Sequence, residues 1–171
     1  MQNHFALFNL PQQFALDTLA LDAAYREVQN KVHPDKFVAA PDAEKRVAMQ
    51  WATRANEAYK TLKSPFLRAA YLCELHGVDL QVESNTSMPT AFLMQQMEWR
   101  EALDDARDGH DMAALENLDK ELRDAKRVLL EKIASLLDSD QYQAAGEAIR
   151  QLMFLEKFGE EVGRVFEKLE A

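Results

Sequence analysis

A single cysteine, Cys73, is all the chain contains. One thiol closes no disulfide and builds no cysteine zinc site, so neither can hold this fold together. Glycine and proline are scarce, five of each in 171 residues, and no run of alternating β-branched residues is bounded by turn pairs. Both absences argue for helix over sheet. No apolar run is long enough to cross a bilayer. The opening Met1-Gln2-Asn3-His4-Phe5 lacks the basic segment and apolar stretch of an export signal. The expectation is a soluble, cytoplasmic protein without a membrane partner. Positive charge is also in deficit, with a formal net charge of -9. Residues 1–83 sum to -1 and residues 84–171 to -8. Nucleic acid needs a basic face that releases counterions, so it is excluded as a partner. Such an uneven charge predicts that the two halves meet different partners.

What is present is helical periodicity. Apolar residues make up 47% of the chain, enough for a core in one medium or two small domains. Leu21, Tyr25, Val28 and Val32 recur at helical spacing, and Val47, Trp51, Ala55, Ala58 and Leu62 do so again. Between the two stretches stands His33-Pro34-Asp35-Lys36. Pro34 pushes the residue before it out of the helical region, which stops the first helix there. The pattern predicts an antiparallel helical hairpin with His33 and Asp35 exposed at its tip. Arg26, Gln29, Asn30 and His33 then line one polar face, away from the Leu21/Tyr25/Val28 stripe. Lys31 and Lys36 add positive charge nearby, suited to an acidic partner. A catalytic histidine needs an orienting partner and a sheltered pocket, and a metal needs further ligands. His4, His76 and His110 fit no ligand pattern with His33, so no catalytic or metal role is assigned.

Around the hairpin, Phe5, Leu7, Phe8 and Leu10 predict a short helix packed across it and ending at Pro11. Asp17 is placed to cap the first hairpin helix, with Leu16 and Leu21 at the spacing of a hydrophobic staple. Asp42 is placed to cap the second, which runs to about Lys63. Ser64-Pro65 starts another helix, Phe66 to about Leu75, closed by His76-Gly77 with Gly77 as the residue past the cap. The boundary is read as residues 1–76, then a polar, unpatterned linker over 77–87, then residues 88–171.

Three helices are readable in the acidic half: about Pro89 to Arg107, Met112 to Leu137 and Gln141 to Leu169. Pro89 suits a first helical position. Gly109 and the pair Asp138/Asp140 mark short connections, which make antiparallel neighbours and hence a three-helix bundle. Leu115, Leu118, Leu122, Ala125, Leu129, Ile133 and Leu136 form the core stripe of the middle helix. On the first helix, Phe92, Trp99, Leu103 and Ala106 fill one stripe. Leu93, Met94 and Met97 lie about 100° to 200° around from Phe92, beside Glu98, Glu101, Asp104 and Asp105. Phe154 likewise points about 200° away from Leu152 on the last helix. Either a broad core covers this second face, or it is a helical docking surface rimmed by carboxylates. Periodicity leaves both open.

The stretches Ala23-Ala24-Tyr25-Arg26, Asn56-Glu57-Ala58-Tyr59-Lys60-Thr61-Leu62 and Arg68-Ala69-Ala70-Tyr71, with the His-Pro-Asp loop, resemble the J-domain. That resemblance implies a loop that stimulates ATP hydrolysis by a DnaK-type chaperone, docked through Arg26, Gln29, Asn30, Lys31, His33, Pro34, Asp35 and Lys36. No Gly/Phe-rich linker and no cysteine-rich zinc region follows, unlike most J-proteins. Thr90-Ala91-Phe92-Leu93-Met94, Glu98-Trp99-Arg100-Glu101 and Arg150-Gln151-Leu152-Met153-Phe154-Leu155-Glu156-Lys157 resemble the C-terminal domain of the HscB co-chaperones, and the likeness spans essentially the whole chain. It implies a non-enzymatic, all-α adaptor. The partners it implies are an HscA-like ATPase chaperone and an IscU-like scaffold on which iron-sulfur clusters are built. By position the scaffold-binding residues are Leu93, Met94, Met97, Glu98, Glu101, Asp105 and Phe154. Met97 and Asp105 read as conservative variants of Leu and Glu. Some members carry N-terminal cysteine motifs that bind zinc; this chain carries none, so no metal or other cofactor is implied. The competing readings are a J-type adaptor for another folded client, and a passive helical module with an inactive loop. Stimulation of a chaperone ATPase separates active from passive, and a pull-down separates the clients.

Overall fold

Apolar residues three and four apart give the chain its helices, and the polar caps between them give it its turns. A computed structural model describes residues 2–80 and 88–171. Among them are seven α-helices and no strand. In order they are α1 (His4–Leu7), α2 (Thr18–Val32), α3 (Asp42–Lys63), α4 (Pro65–Leu75), α5 (Thr90–Asp108), α6 (Met112–Asp138) and α7 (Tyr142–Glu170). They gather into two compact units, Met1–Leu75 and His76–Ala171.

The first unit is built on the α2/α3 hairpin. Leu21, Ala55, Ala58 and Leu62 are fully buried; the alanines keep the face of α3 low, so its neighbours approach closely. Tyr25 and Tyr59 stack with centroids 4.1 Å apart. The Tyr59 hydroxyl donates to Asp22 Oδ1 at 2.7 Å, and Lys63 Nζ donates to both Asp22 oxygens at 2.9 and 3.1 Å. Asp17 caps α2 as expected, accepting from Leu19 and Ala20 N–H. α1 seats Phe5 and Phe8 in the core, and Phe8 meets Tyr25 edge-on. Ser64 Oγ accepts from Leu67 N–H to open α4. Arg68, buried on α4, donates to the last-turn carbonyl of Leu62 at 2.7 Å and lies 4.8 Å over the Phe14 ring. That satisfies one of the carbonyls a helix end leaves without a partner. Cys73 is buried, and burial with the Glu74 carboxylate pushes its thiol up to about 11. It stays protonated and unreactive at neutral pH.

Two expectations for α3 change. Val47 is 50% exposed and Trp51 37% exposed, while Ala48 faces inward. The face carrying Val47 is not covered at the start of α3, and the Arg54 guanidinium lies 5.0 Å over the Trp51 ring. Asp42 is not the cap but the first helical residue, behind Pro41. There, with Glu44, it faces the positive end of the helix dipole.

The second unit is an antiparallel three-helix bundle in which α6 and α7 share the most extensive contact. Leu115, Leu118, Leu122, Leu129 and Ile133 are buried as expected, and Leu137 rather than Leu136 completes the stripe. Ala125 is half-buried. Pro89 sits at the cap position, one residue before its expected place. His110 and Asp140 take positive φ at the two turns.

Part of the expected linker belongs to this unit's core. Val78 and Leu80 are buried, and a methyl group placed on Gly146 would lie 2.8 Å from Val78 Cγ1. His76 stacks on Tyr142 at 3.7 Å, and Arg150 donates to Asp79 O at 3.1 Å. Residues 76–80 are thus strapped along the Tyr142/Gly146/Arg150 ridge of α7; residues 81–87 lie outside the described residues.

Hydrogen bonds from Lys63 and Tyr59 hold the Asp22 carboxyl below the usual carboxylate range. A carboxyl that titrates lower folded than unfolded favours folding at neutral pH. That contribution is lost as pH drops below about 4. Acidification from about pH 5 to about pH 3 should lower the melting temperature more in the native protein than in Asp22→Asn. Equal drops by circular dichroism would assign the acid sensitivity to other carboxylates.

Candidate functional site

The His-Pro-Asp loop is shaped by its proline. His33 leaves α2 in extended backbone, φ -59° and ψ 135°, which the ring of Pro34 demands. One 3-10 turn follows over Pro34–Phe37, closed by Lys36 N–H on His33 O at 3.0 Å. His33 Nδ1 accepts from Asp35 N–H at 3.2 Å. Asp35 Oδ2 lies 3.6 Å from the same Nδ1. The side chains of His33 and Asp35 are 57% and 87% exposed. Pro34 and Lys36 are exposed as well, and so are Arg26, Gln29 and Asn30 along α2. Lys31 is exposed but paired with Glu27 at 3.3 Å. All eight residues predicted for this face therefore lie on the surface of α2 and its loop.

The second candidate face is on α5. Trp99, Leu103 and Ala106 are buried, and Phe92 half-buried. Leu93, Met94 and Met97 are 43%, 58% and 73% exposed, so a broad core does not cover them. Glu98, Glu101 and Asp105 are exposed beside them. Gln95 Nε2 approaches Glu98 at 3.4 Å, and Arg107 pairs with Asp104 and Asp108. Among the described residues no cation pairs with Glu101 or Asp105.

Phe154 differs from its expected place. It is half-buried and joins the core stripe: its ring stacks on Trp99 at 6.5 Å and on Phe158 at 5.5 Å, and Phe92 meets it edge-on at 5.8 Å. The 200° offset from Leu152 is an angle around α7 alone, and α5 covers that direction. Periodicity also gave no sign of a groove of about 400 Å³ lined by α5, α6 and α7, with Phe92, Trp99, Val128, Leu129 and Leu155 among its apolar residues. Its one legible trace is Val128, an apolar residue outside the core stripe and 56% exposed. Among the described residues no three His, Cys, Asp or Glu side chains gather as a metal site, and no helix is long and apolar enough to cross a membrane.

Residues 88–163, the span that carries this second face, match a family model described as the HSCB C-terminal oligomerisation domain. The co-chaperone protein HscB homolog of Burkholderia cenocepacia is 61% identical over 98% of this chain and 96% of its own length. The chain belongs to the HscB co-chaperone family. Its HscB relative in Paraburkholderia xenovorans is 58% identical over the same share of each chain. Among solved HscB structures, that from Vibrio cholerae matches with a TM-score of 0.86 at 37% identity, covering 98% of this chain and 99% of that one. Human HscB matches at 0.91 with 26% identity, covering all of this chain and 84% of that one. The all-α architecture, a J-domain hairpin followed by a three-helix bundle, is therefore the HscB fold.

Burial separates the two sets of apolar residues on α5. Trp99→Ala removes a ring that is 5% exposed and should cost about 3–5 kcal/mol of stability. Met97→Ala should change stability by less than about 0.5 kcal/mol. Denaturant titration checks both, and a Met97 variant as unstable as Trp99→Ala would return Met97 to the core.

Proposed function

We propose that this co-chaperone joins an HscA-like, DnaK-type ATPase to an IscU-like iron-sulfur scaffold. The J-domain half recruits the chaperone and triggers hydrolysis; the acidic bundle binds the folded scaffold and presents it. The observation that carries this reading is the uncovered Leu93/Met94/Met97 face with its carboxylate rim, on the same chain as an exposed His-Pro-Asp loop closed by its own hydrogen bonds. Met side chains are adaptable contacts for a partner surface. Rim carboxylates favour a partner with basic groups and speed its approach.

The loop needs no chemistry of its own. His33, Asp35 and the polar residues of α2 form a surface that recognises a conformation of the chaperone, and preferential binding of the hydrolysis-competent state is enough to stimulate turnover. Holding client and chaperone on one adaptor raises the concentration of each at the other.

His33→Gln or Asp35→Asn should abolish stimulation of the chaperone's ATPase with an unchanged circular dichroism spectrum, since both side chains are exposed. Near-full stimulation at saturating concentration would remove the J-domain mechanism. For the client, Leu93 and Met97 are the residues to truncate, because Phe154 also packs on Trp99. The Leu93→Ala/Met97→Ala double variant should lose about 2 kcal/mol or more of scaffold binding. It should keep its melting temperature and its client-free ATPase stimulation. Scaffold binding at parental affinity would place the client elsewhere.

A further inference from the structure

The groove that Phe92, Val128 and Leu129 line does not end on apolar residues. At Lys132 and Gln151 it adjoins a smaller cavity of about 180 Å³, which these two residues line together with Arg150 and Leu136. All of them belong to the second unit. Lys132 is exposed, and among the described residues no carboxylate pairs with it. Arg150 donates from Nη2 to Asp79 O, while its Nε is buried with no acceptor. Buried donors are nearly always bonded to protein, water or an ion, so an orphan beside a cavity calls for an occupant. The cavity is far larger than the ~15 Å³ that one water needs. Glu147 lines it too, but that side chain is exposed and pairs with neither cation. Two cations thus meet at one cavity in a half of the chain that sums to -8.

Charge also runs one way along this trough. Asp124, the other charged residue of the groove, stands two turns before Lys132 on α6, about 12 Å along the axis. An anion is therefore drawn to the Lys132 end and repelled from the Asp124 end. Between the two ends lie Phe92, Val128, Leu129 and Leu155, with Val128 56% exposed. We propose that the trough binds an amphipathic anion, its charged head between Lys132 and Arg150 and its apolar chain along Phe92, Val128 and Leu129. The head gives the buried Arg150 donor an acceptor, and the chain removes apolar groove surface from water. This site is separate from the Leu93/Met97 face. Gln95, which lines the groove, lies about 200° around α5 from Leu93.

Titration of the full chain followed by tryptophan emission tests this. Trp99 lines the groove, and Trp51→Phe leaves it as the one indole. The probes are octanoate and octyl phosphate. Acetate and inorganic phosphate serve as heads without a chain, and octanol as a chain without a head. At least one probe should shift Trp99 emission saturably, at a concentration about tenfold or more below any control. Whichever probe binds more tightly identifies the head. Lys132→Glu should weaken that binding about tenfold or more, and so should Val128→Asp. Both side chains are exposed, so the denaturant midpoint should hold. Absence of a saturable shift overturns the proposal, and so does octanol binding as tightly as the anionic probes. Parental affinity in either folded variant overturns it as well. Should Val128→Asp fail to fold, Lys132→Glu carries the test by itself. The titration contains neither chaperone nor scaffold, so its failure leaves the adaptor reading untouched.

Discussion

Asp22 takes hydrogen bonds from Tyr59 and Lys63, so α2 is tied to α3 through a carboxylate as well as through apolar contact. Apolar packing fixes how close two helices lie, but it is tolerant of small rotations because any neighbouring apolar atom will serve. A carboxylate gripped by two donors is not tolerant, since directional bonds are lost when the helix rolls. Together with the Tyr25/Tyr59 stack, this grip sets the rotation of α2. The outward aim of Arg26, Gln29 and Asn30, and the direction from which His33 leaves the helix, follow from it. A polar face composed of side chains along one helix keeps its aim only while that rotation is fixed.

The two units close their helix junctions by a shared device. Arg68 lies over Phe14 in the first unit, and Arg100 over Phe158 in the second. In each case a guanidinium lies over a phenylalanine ring and also donates a hydrogen bond elsewhere, to a helix-end carbonyl or to a carboxylate. The difference is burial. Arg68 is inside and serves the fold. Arg100 is at the surface, where the same geometry borders an uncovered face.

Much of this was legible in the residues. The helices of the second unit fall within one or two residues of the expected spans, because their periods are long and their turns carry Gly109, Asp138 and Asp140. The angles of Leu93, Met94 and Met97 allowed either a broad core or an open face, and their exposures decide for the open face. What periodicity misses is the neighbour. Val47 and Trp51 have the spacing of a core stripe, yet whether a face is covered depends on where the packed helices end. Phe154 has the angle of a surface residue, yet α5 lies across that direction. Arg100 reads as one more charge on an exposed helix, and only the position of Phe158, more than fifty residues away in the chain, shows what it packs on.

The strap over residues 76–80 bears on where this chain can be divided. A segment outside any helix has no 3.6-residue period, so Val78 and Leu80 look like part of a spacer, and residue 88 looks like the natural first position of the bundle. A fragment cut there would leave the Gly146 notch on α7 without the side chains that fill it, Tyr142 without the His76 ring and Arg150 without the Asp79 carbonyl. Glycine in mid-helix already lowers helix stability by about 1 kcal/mol relative to alanine, a cost that makes sense only with the strap in place. The second compact unit begins at His76. Any fusion, truncation or transplant of the bundle has to carry those first residues with it as part of the folded unit.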